Sequence, residues 1–288
     1  MADSTVFATL RWSRQAQDRR VWAISAIHGE ADRLKALHDA LGQRLRQGDR
    51  LVYLGNYLGR GPAVRATLDE LIAFRRRVIA LPGMFAADVA YLRGCQEEMW
   101  HKTLQLQFAT NPGEVLAWTL GQGLAATLAA YGGTPEEGLS VMRQGAVAIG
   151  KWTQKLRQAM NRTPGHADFM AALKRAAFTV KEREGDHSFL FVSAGLDPAQ
   201  PLAAQADALW WGGAGFAQLD ALGAAPYEDY ARVVRGAKPT GAPAQPGVAQ
   251  GAHTATVDGG AGFGGQLLAA CFDGAGAQNG AAIDMVTA

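Results

Sequence analysis

The sequence lacks the features that mark secreted, membrane or nucleic-acid-binding proteins. Its 288 residues include only two cysteines, Cys95 and Cys271, which are too far apart for a metal motif and suit a reducing compartment. The net charge of +2 gives no electrostatic case for a nucleic-acid-binding surface. No secretion signal is apparent, and the uncharged run at residues 115–132 is short for a bilayer span. We therefore expect a cytoplasmic protein with no nucleic-acid partner and no membrane span.

The sequence does contain enough apolar residues to build a substantial core. Hydrophobic residues make up 48% of the chain and charged residues 19%, as in ordinary globular proteins. Strand-like runs at residues 20–27, 51–54 and 78–81 alternate with helical patterns at 32–45 and after Pro62. This βαβαβ order predicts an α/β fold in which loops at the strand ends form the site.

Helical patterns dominate the middle of the chain. Residues 86–184 show no strand signal and are interpreted as a helical insertion or cap. Strands are predicted again at residues 188–192, 232–235, 254–258 and 266–272. We therefore expect a single domain over residues 1–273. Composition also predicts a mobile surface loop at 240–252 and a flexible C-terminal tail at 274–288.

Three segments that follow the predicted strands resemble the motifs of one enzyme family. They are residues 25–29 (SAIHG), 55–61 (GNYLGRG) and 81–85 (LPGMF). In order and flanks they resemble GDxHG, GDxxDRG and GNHE of the calcineurin-like metallophosphoesterases, phosphoprotein-phosphatase branch. Residues 118–132 and 257–273 resemble segments of its bacterial members, which include serine/threonine phosphatases and diadenosine-tetraphosphatase-like proteins. The resemblance implies a four-layer α/β/β/α metallophosphoesterase sandwich with a helical insertion.

The resemblance also implies which residues of the first two motifs would serve the family's pair of divalent metals. His28 is retained at a ligand position, but Ala26 replaces the ligand aspartate of that motif. Asn56 replaces the aspartate that bridges the metals, and a neutral amide is a weak bridging ligand. Gly59 replaces the aspartate that orients the catalytic histidine, whereas Arg60 matches the phosphate-gripping arginine.

The later motifs are also degenerate. Within residues 81–85, Met84 stands at the metal-binding asparagine and Phe85 at the general-acid histidine. Downstream, FVSAGLDP resembles the family's VHAGLDP with Ser193 at a ligand histidine. VVRGAKPT resembles VVHGHTPT with Ala237 at the last ligand histidine. Because metal affinity depends on the number and charge of the donors, we expect both metals to be absent.

Without the metals the family's hydrolytic chemistry has no Lewis acid and no activated water. The sequence therefore predicts a pseudophosphatase: a scaffold, regulatory or complex subunit whose partner is another protein that the sequence does not identify. An alternative from the enzyme class is a weak metal-dependent serine/threonine-type phosphatase or nucleotide phosphohydrolase.

A third alternative is a metal-free sensor of phosphate or nucleotide. Arg60, Arg235 and Lys238 could converge with His28 on an anion where the metals would lie. The competing interpretation is that Arg235 and Lys238 are solvated, that Arg60 braces its loop and that His28 is a relic. The sequence leaves both interpretations open.

Overall fold

Two mixed β-sheets lie face to face in the computed structural model, which describes residues 6–12, 19–221, 226–237, 247–275 and 282–288. One sheet contains β1 (Phe7–Leu10), β5 (Ala176–Thr179), β6 (Phe189–Val192), β7 (Arg232–Arg235), β8 (Val248–Gln250) and β9 (Thr254–Val257), in the order β1-β5-β6-β7-β9-β8. The other contains β2 (Arg20–Ile24), β3 (Arg50–Tyr53), β4 (Val89–Tyr91), β10 (Leu268–Asp273) and β11 (Ala282–Thr287), in the order β11-β10-β2-β3-β4.

The inner faces of the two sheets form a shared apolar core. Side chains alternate across a strand, so Val21 and Ala23 of β2 face the other sheet while Trp22 and Ile24 face the helices. The inter-sheet core also includes Val52, Phe189, Phe191, Val234 and Phe272. Strands buried on both faces explain why these segments are almost continuously apolar in the sequence.

Helices cover the outer faces of both sheets. They are α1 (Ala31–Gly42), α2 (Val64–Ile79), α3 (Cys95–Thr103), α4 (Pro112–Thr119), α5 (Ala125–Ala130), α6 (Pro135–Met142), α7 (Ala146–Asn161), α8 (His166–Ala171), α9 (Ala208–Trp211) and α10 (Gly213–Ala221). Helices α1 to α8 share one apolar cluster with the sheet that contains β2, and α9 and α10 share another with the sheet that contains β6. The four-layer α/β/β/α prediction is confirmed. No helix in the described ranges is long and apolar enough to span a bilayer.

The prediction of a third strand at residues 78–81 is wrong. Helix α2 continues through this region because Leu71, Phe74 and Val78 extend its buried stripe by one further turn. The strand that neighbours β3 is β4, which begins only at Val89. This change moves the loop that follows the third strand of the sheet to residues 92–97.

Two other boundaries differ from the sequence prediction. Strands β4 and β5 lie inside residues 86–184, so the helical insertion is confined to the segment between them. Within the predicted flexible tail, β11 pairs with β10 in antiparallel register, and Val286 is buried against α1 and its sheet. Most of the predicted surface loop at 240–252 lies outside the described residues, but β8 occupies part of it.

Candidate functional site

The loops after five strands meet at one edge of the sandwich. Strands β2, β3 and β4 are parallel neighbours, as are β6 and β7, so the loops that follow them emerge on the same side. A main-chain bond joins the two sets, from the Ala26 N–H to the Gly236 carbonyl at 3.1 Å. Within the second set, the Gly236 N–H donates to the Ser193 carbonyl at 3.0 Å. We call the motif cleft the loops at residues 25–29, 54–61, 92–97, 193–195 and 236–237.

Unusual backbone conformations shape the motif cleft. His28, Asn56 and Arg60 have φ angles of 55°, 58° and 51°, in the left-handed region that non-glycine residues rarely adopt. The Asn56 carbonyl accepts the His28 N–H at 2.7 Å, and the His28 carbonyl accepts the Gly61 N–H at 2.6 Å. Strained residues held by such contacts cluster at functional sites, which supports this edge as the candidate site.

The segment that the sequence matched to GNHE lies elsewhere. A Cβ atom added at Gly83 would collide with the side chain of Gln47, which precedes β3 and so lies at the opposite edge of the sheet. Met84 is buried in the core beside the helices, and the Phe85 side chain is 67% exposed. Met84 and Phe85 are therefore not part of the motif cleft, and placing the third motif on them was wrong.

The loop after β4 takes the place of the third motif. It reads Gly94-Cys95-Gln96-Glu97 and keeps the glycine and the glutamate of GNHE. The Asn56 side-chain oxygen accepts the Gln96 N–H at 3.1 Å and the Cys95 thiol at 3.2 Å. Cys95 and Gln96 thus stand where the resemblance places the metal-binding asparagine and the general-acid histidine. The surviving glycine and glutamate, directly after an apolar run, were the signal that could have located this loop.

Glu97 organises the motif cleft from within. Its carboxylate accepts four main-chain N–H groups, those of Asn56, Tyr57 and Leu58 in the second motif and that of Gly94 in its own loop, at 2.8–3.0 Å. The side chain is fully buried. Burial raises the pKa of Glu97, and the four donors act in the opposite direction. With both oxygens occupied twice, this carboxylate is a loop brace that has no free lone pair directed at a ligand.

The imidazole of His28 is held in its neutral form. The residue is only 7% exposed, and its ring meets the ring of Phe263 edge to face at 6.2 Å. Burial lowers the His28 pKa to about 4, the positive charge of Arg60 lowers it further, and a main-chain hydrogen bond with Leu58 partly offsets both. Within the described residues Nδ1 has no hydrogen-bond partner.

The two arginines of the sensor hypothesis, Arg60 and Arg235, do not converge. Arg60 lies in the motif cleft with its guanidinium 4.1 Å from the centre of the Phe263 ring. Arg235 lies on the outer face of its sheet, where it donates to Thr256 at 3.0 Å and covers the Phe216 ring. Lys238 is outside the described residues. Of the two described arginines, Arg60 is therefore the one that lies in the motif cleft.

The remaining substituted motif positions carry no anionic or imidazole side chain. Ala26 is buried, Ala237 is half-buried, and Gly59 has no side chain. The Ser193 hydroxyl is buried and, in the described part of the chain, has no hydrogen-bond partner. Burial raises the pKa of the Cys95 thiol to about 12, so the thiolate form that binds metals is disfavoured.

The donor set does not fit the two-metal centre that the resemblance implies. Two adjacent divalent ions need several anionic or imidazole donors, whereas this cleft offers His28, a neutral amide and a protonated thiol. Across the described ranges no group of three or more His, Cys, Asp or Glu side chains is placed to hold a metal ion.

Removing the charge of Arg60 is expected to raise the His28 pKa, since that charge opposes protonation of the ring. The Arg60→Gln variant should show the shift in an NMR titration of the His28 ring protons. Arg65→Gln, which changes an exposed arginine on α2, is the matched control and should leave the titration unchanged. An unaltered or lower His28 pKa in Arg60→Gln would show that the two groups are not coupled.

Comparisons with known proteins show distant structural likeness only. No family model matches the chain, and no curated protein matches its sequence. A candidate diadenosine tetraphosphatase has 15% identity and a TM-score of 0.48, covering 98% of this chain and 97% of its own. A serine/threonine phosphatase from Saccharomyces cerevisiae has 12% identity and a TM-score of 0.48, covering 99% and 82%. A metallophosphoesterase from Sphaerobacter thermophilus has 14% identity and a TM-score of 0.40, covering 89% of this chain and 84% of its own.

These likenesses are too remote to assign an activity. The architecture is described by the chain itself: two mixed sheets face each other, helices cover both outer faces, and the loops that resemble the motifs lie together at one edge. That arrangement is the four-layer α/β/β/α sandwich that the motif resemblance implies.

Proposed function

We propose that this protein is a pseudophosphatase: a scaffold, regulatory or complex subunit that uses the phosphoesterase shape to bind another protein. The observation that carries the proposal is the set of side chains at the ligand positions. Alanine, serine, a buried thiol and a neutral amide replace donors at five of them, leaving the imidazole of His28.

The same residues argue against acid catalysis in the cleft. Gln96, at the position of the general-acid histidine, has no titrating group, and its amide donates to the Gln122 carbonyl at 2.9 Å. His28 favours the neutral form at pH 7 and is nearly inaccessible. A hydrolase on this framework would therefore lack both an activated water and a proton donor for the leaving group.

Exposed aromatic residues beside the motif cleft support binding of a protein. Trp118 is 51% exposed and its ring lies 5.6 Å from that of Trp211. It precedes the segment Leu120–Leu124, which contacts the cleft through the Gln122 carbonyl and through the Gly123 carbonyl that accepts the Arg60 N–H at 2.9 Å. Aromatic residues exposed beside a cleft are typical anchors of protein interfaces.

Metal analysis of purified protein together with an aryl-phosphate assay in manganese tests the loss of activity. We expect less than stoichiometric metal and no turnover above buffer, because the cleft offers too few donors. Stoichiometric metal and turnover that is abolished in His28→Ala would contradict the proposal and favour a weak phosphatase. Heat released by millimolar phosphate or nucleotide, abolished in Arg60→Gln, would favour the sensor.

Partner binding is tested at the aromatic residues. The protein is purified from its native cells, the co-purifying protein is identified, and its affinity is then measured with purified components. Trp118→Ser is expected to weaken binding by about thirtyfold, the effect of losing an interface anchor. Phe85→Ser is the matched control, since Phe85 is 67% exposed and lies outside the motif cleft. Equal affinity in the two variants would exclude this surface as the interface.

A further inference from the structure

A second concave site lies away from the motif cleft, at the edge of the sandwich where β1 and β4 end the two sheets. It has a volume of about 650 Å³, within the range of small-molecule sites. Strands β1 and β4 and helices α2 and α8 supply most of its lining. We call it the edge cavity. None of its lining residues belongs to the motif cleft.

Main-chain hydrogen bonds fix one end of the edge cavity. The Lys174 N–H donates to the Tyr91 carbonyl at 2.8 Å, and the Lys174 carbonyl accepts the Arg93 N–H at 2.7 Å. One residue later, the Arg175 N–H donates to the Val6 carbonyl at 2.9 Å. This segment ties the two sheet edges together at one end. Beyond it the edges are separated by the cavity, so the opening belongs to the framework of the fold.

The walls of the edge cavity are largely apolar and include three aromatic residues. Phe7, Tyr91 and Phe169 line it together with the aliphatic side chains of Ile72 and Val89. The rings of Tyr91 and Phe169 pack edge to face at 5.0 Å, which holds both in place. Such walls favour a ligand with an apolar body over a purely polar one.

The charged residues of the lining are mainly cationic. Arg75 and Arg76 from α2 and Lys174 line the cavity, against the single carboxylate of Asp168. Arg75 is half-buried, and its guanidinium reaches the Ala86 carbonyl at 3.5 Å. In the described residues neither Arg75 nor Arg76 forms an ion pair with a carboxylate. Guanidinium groups in this position favour a carboxylate, which they can bind in bidentate fashion.

We propose that the edge cavity binds a medium-chain fatty carboxylate. The acyl chain lies against Phe7, Tyr91 and Phe169, and the carboxylate is bound by Arg75 and Arg76. The inference does not depend on the proposed function, because it concerns different residues and a different edge of the fold.

Calorimetric titration of the full chain with decanoate, kept below its micelle-forming concentration, tests the proposal. We expect saturable binding at one site. Decyltrimethylammonium, which has the same tail and a cationic head, and inorganic phosphate, which has no tail, should each give no heat. Equal binding of decanoate and decyltrimethylammonium would contradict the role of the arginines. The absence of any binding heat with millimolar decanoate would contradict the proposed site.

Two variants locate the binding. The double variant Arg75→Ala, Arg76→Ala should weaken decanoate binding at least tenfold through loss of charge-assisted hydrogen bonds. Ala172→Trp places a large ring at an exposed lining position and should abolish binding while the melting temperature stays close to that of the parent. Arg33→Ala, on the exposed face of α1, is the control and should bind as the parent does. Decanoate affinity that is unchanged in both test variants would place the ligand elsewhere and overturn the inference.

Discussion

Replacing Glu97 by alanine is expected to lower the free energy of unfolding by about 4 kcal/mol or more. The substitution leaves four buried main-chain N–H groups, at Gly94, Asn56, Tyr57 and Leu58, without their acceptor. Each buried donor that loses its partner costs about 1–3 kcal/mol, and water entering the space would recover part of that loss. Urea unfolding followed by circular dichroism measures the change.

Two companion variants separate the hydrogen bonds from other effects. Glu97→Gln keeps one acceptor oxygen but directs an amide group at the other pair of donors, so it should also be strongly destabilised. Glu114→Ala removes an exposed glutamate from α4 and should change the free energy of unfolding by less than about 0.5 kcal/mol. A loss below about 1 kcal/mol in Glu97→Ala would show that the second-motif loop holds its shape without this carboxylate.

Acid is expected to destabilise the protein well before its carboxylates are fully protonated. Burial is the main cause that lowers the pKa of both His28 and His38 to about 4. In the unfolded chain the histidine pKa is near 6.5, so between about pH 6.5 and 4 these histidines are protonated in the unfolded chain and neutral in the folded chain. These histidines therefore do not lower the free energy of unfolding above about pH 7. As the pH drops from about 6.5 towards 4, the free energy of unfolding falls by up to about 3 kcal/mol for each of the two residues.

Unfolding in urea at a series of pH values between 4.5 and 8 measures this dependence. His28→Gln should reduce the slope of the free energy of unfolding against pH by the contribution of one histidine, because glutamine does not bind a proton in either state. His101→Gln changes an exposed histidine and should leave the slope as in the parent. A free energy of unfolding that is constant over the whole range would mean that both buried rings accept protons as readily as in the unfolded chain.

The strands of the sandwich core could be predicted because their burial on both faces leaves continuous apolar runs. Strands β2, β3, β6 and β7 lie where the sequence predicts them. Strand β4 has only three residues, too few for an alternating pattern, so the apolar end of α2 was mistaken for it. That one error displaced the third motif from Cys95 and Gln96 to Met84 and Phe85.

The site could be predicted only in part, because several of its properties depend on contacts between distant residues. The substitutions at Ala26, Asn56 and Ser193 follow directly from the motif resemblance, and their loops do meet. The bracing role of Glu97 could not be predicted, since its partners are main-chain groups of another loop. The direction of the Arg235 side chain could not be predicted either. Side chains alternate between the two faces of β7, and the sequence alone does not tell which of these faces is the outer one.

A main-chain hydrogen bond from Ala26 to Gly236 joins the two sheets at the motif cleft, and the Gly236 N–H donates in turn to the Ser193 carbonyl. The bonds made by Ala26 and Ser193 do not depend on which side chain those two positions carry. Substitutions at Ala26 and Ser193 can therefore change the chemistry of this edge without separating the two sheets. The shape of the edge and the side chains that it presents can then vary separately.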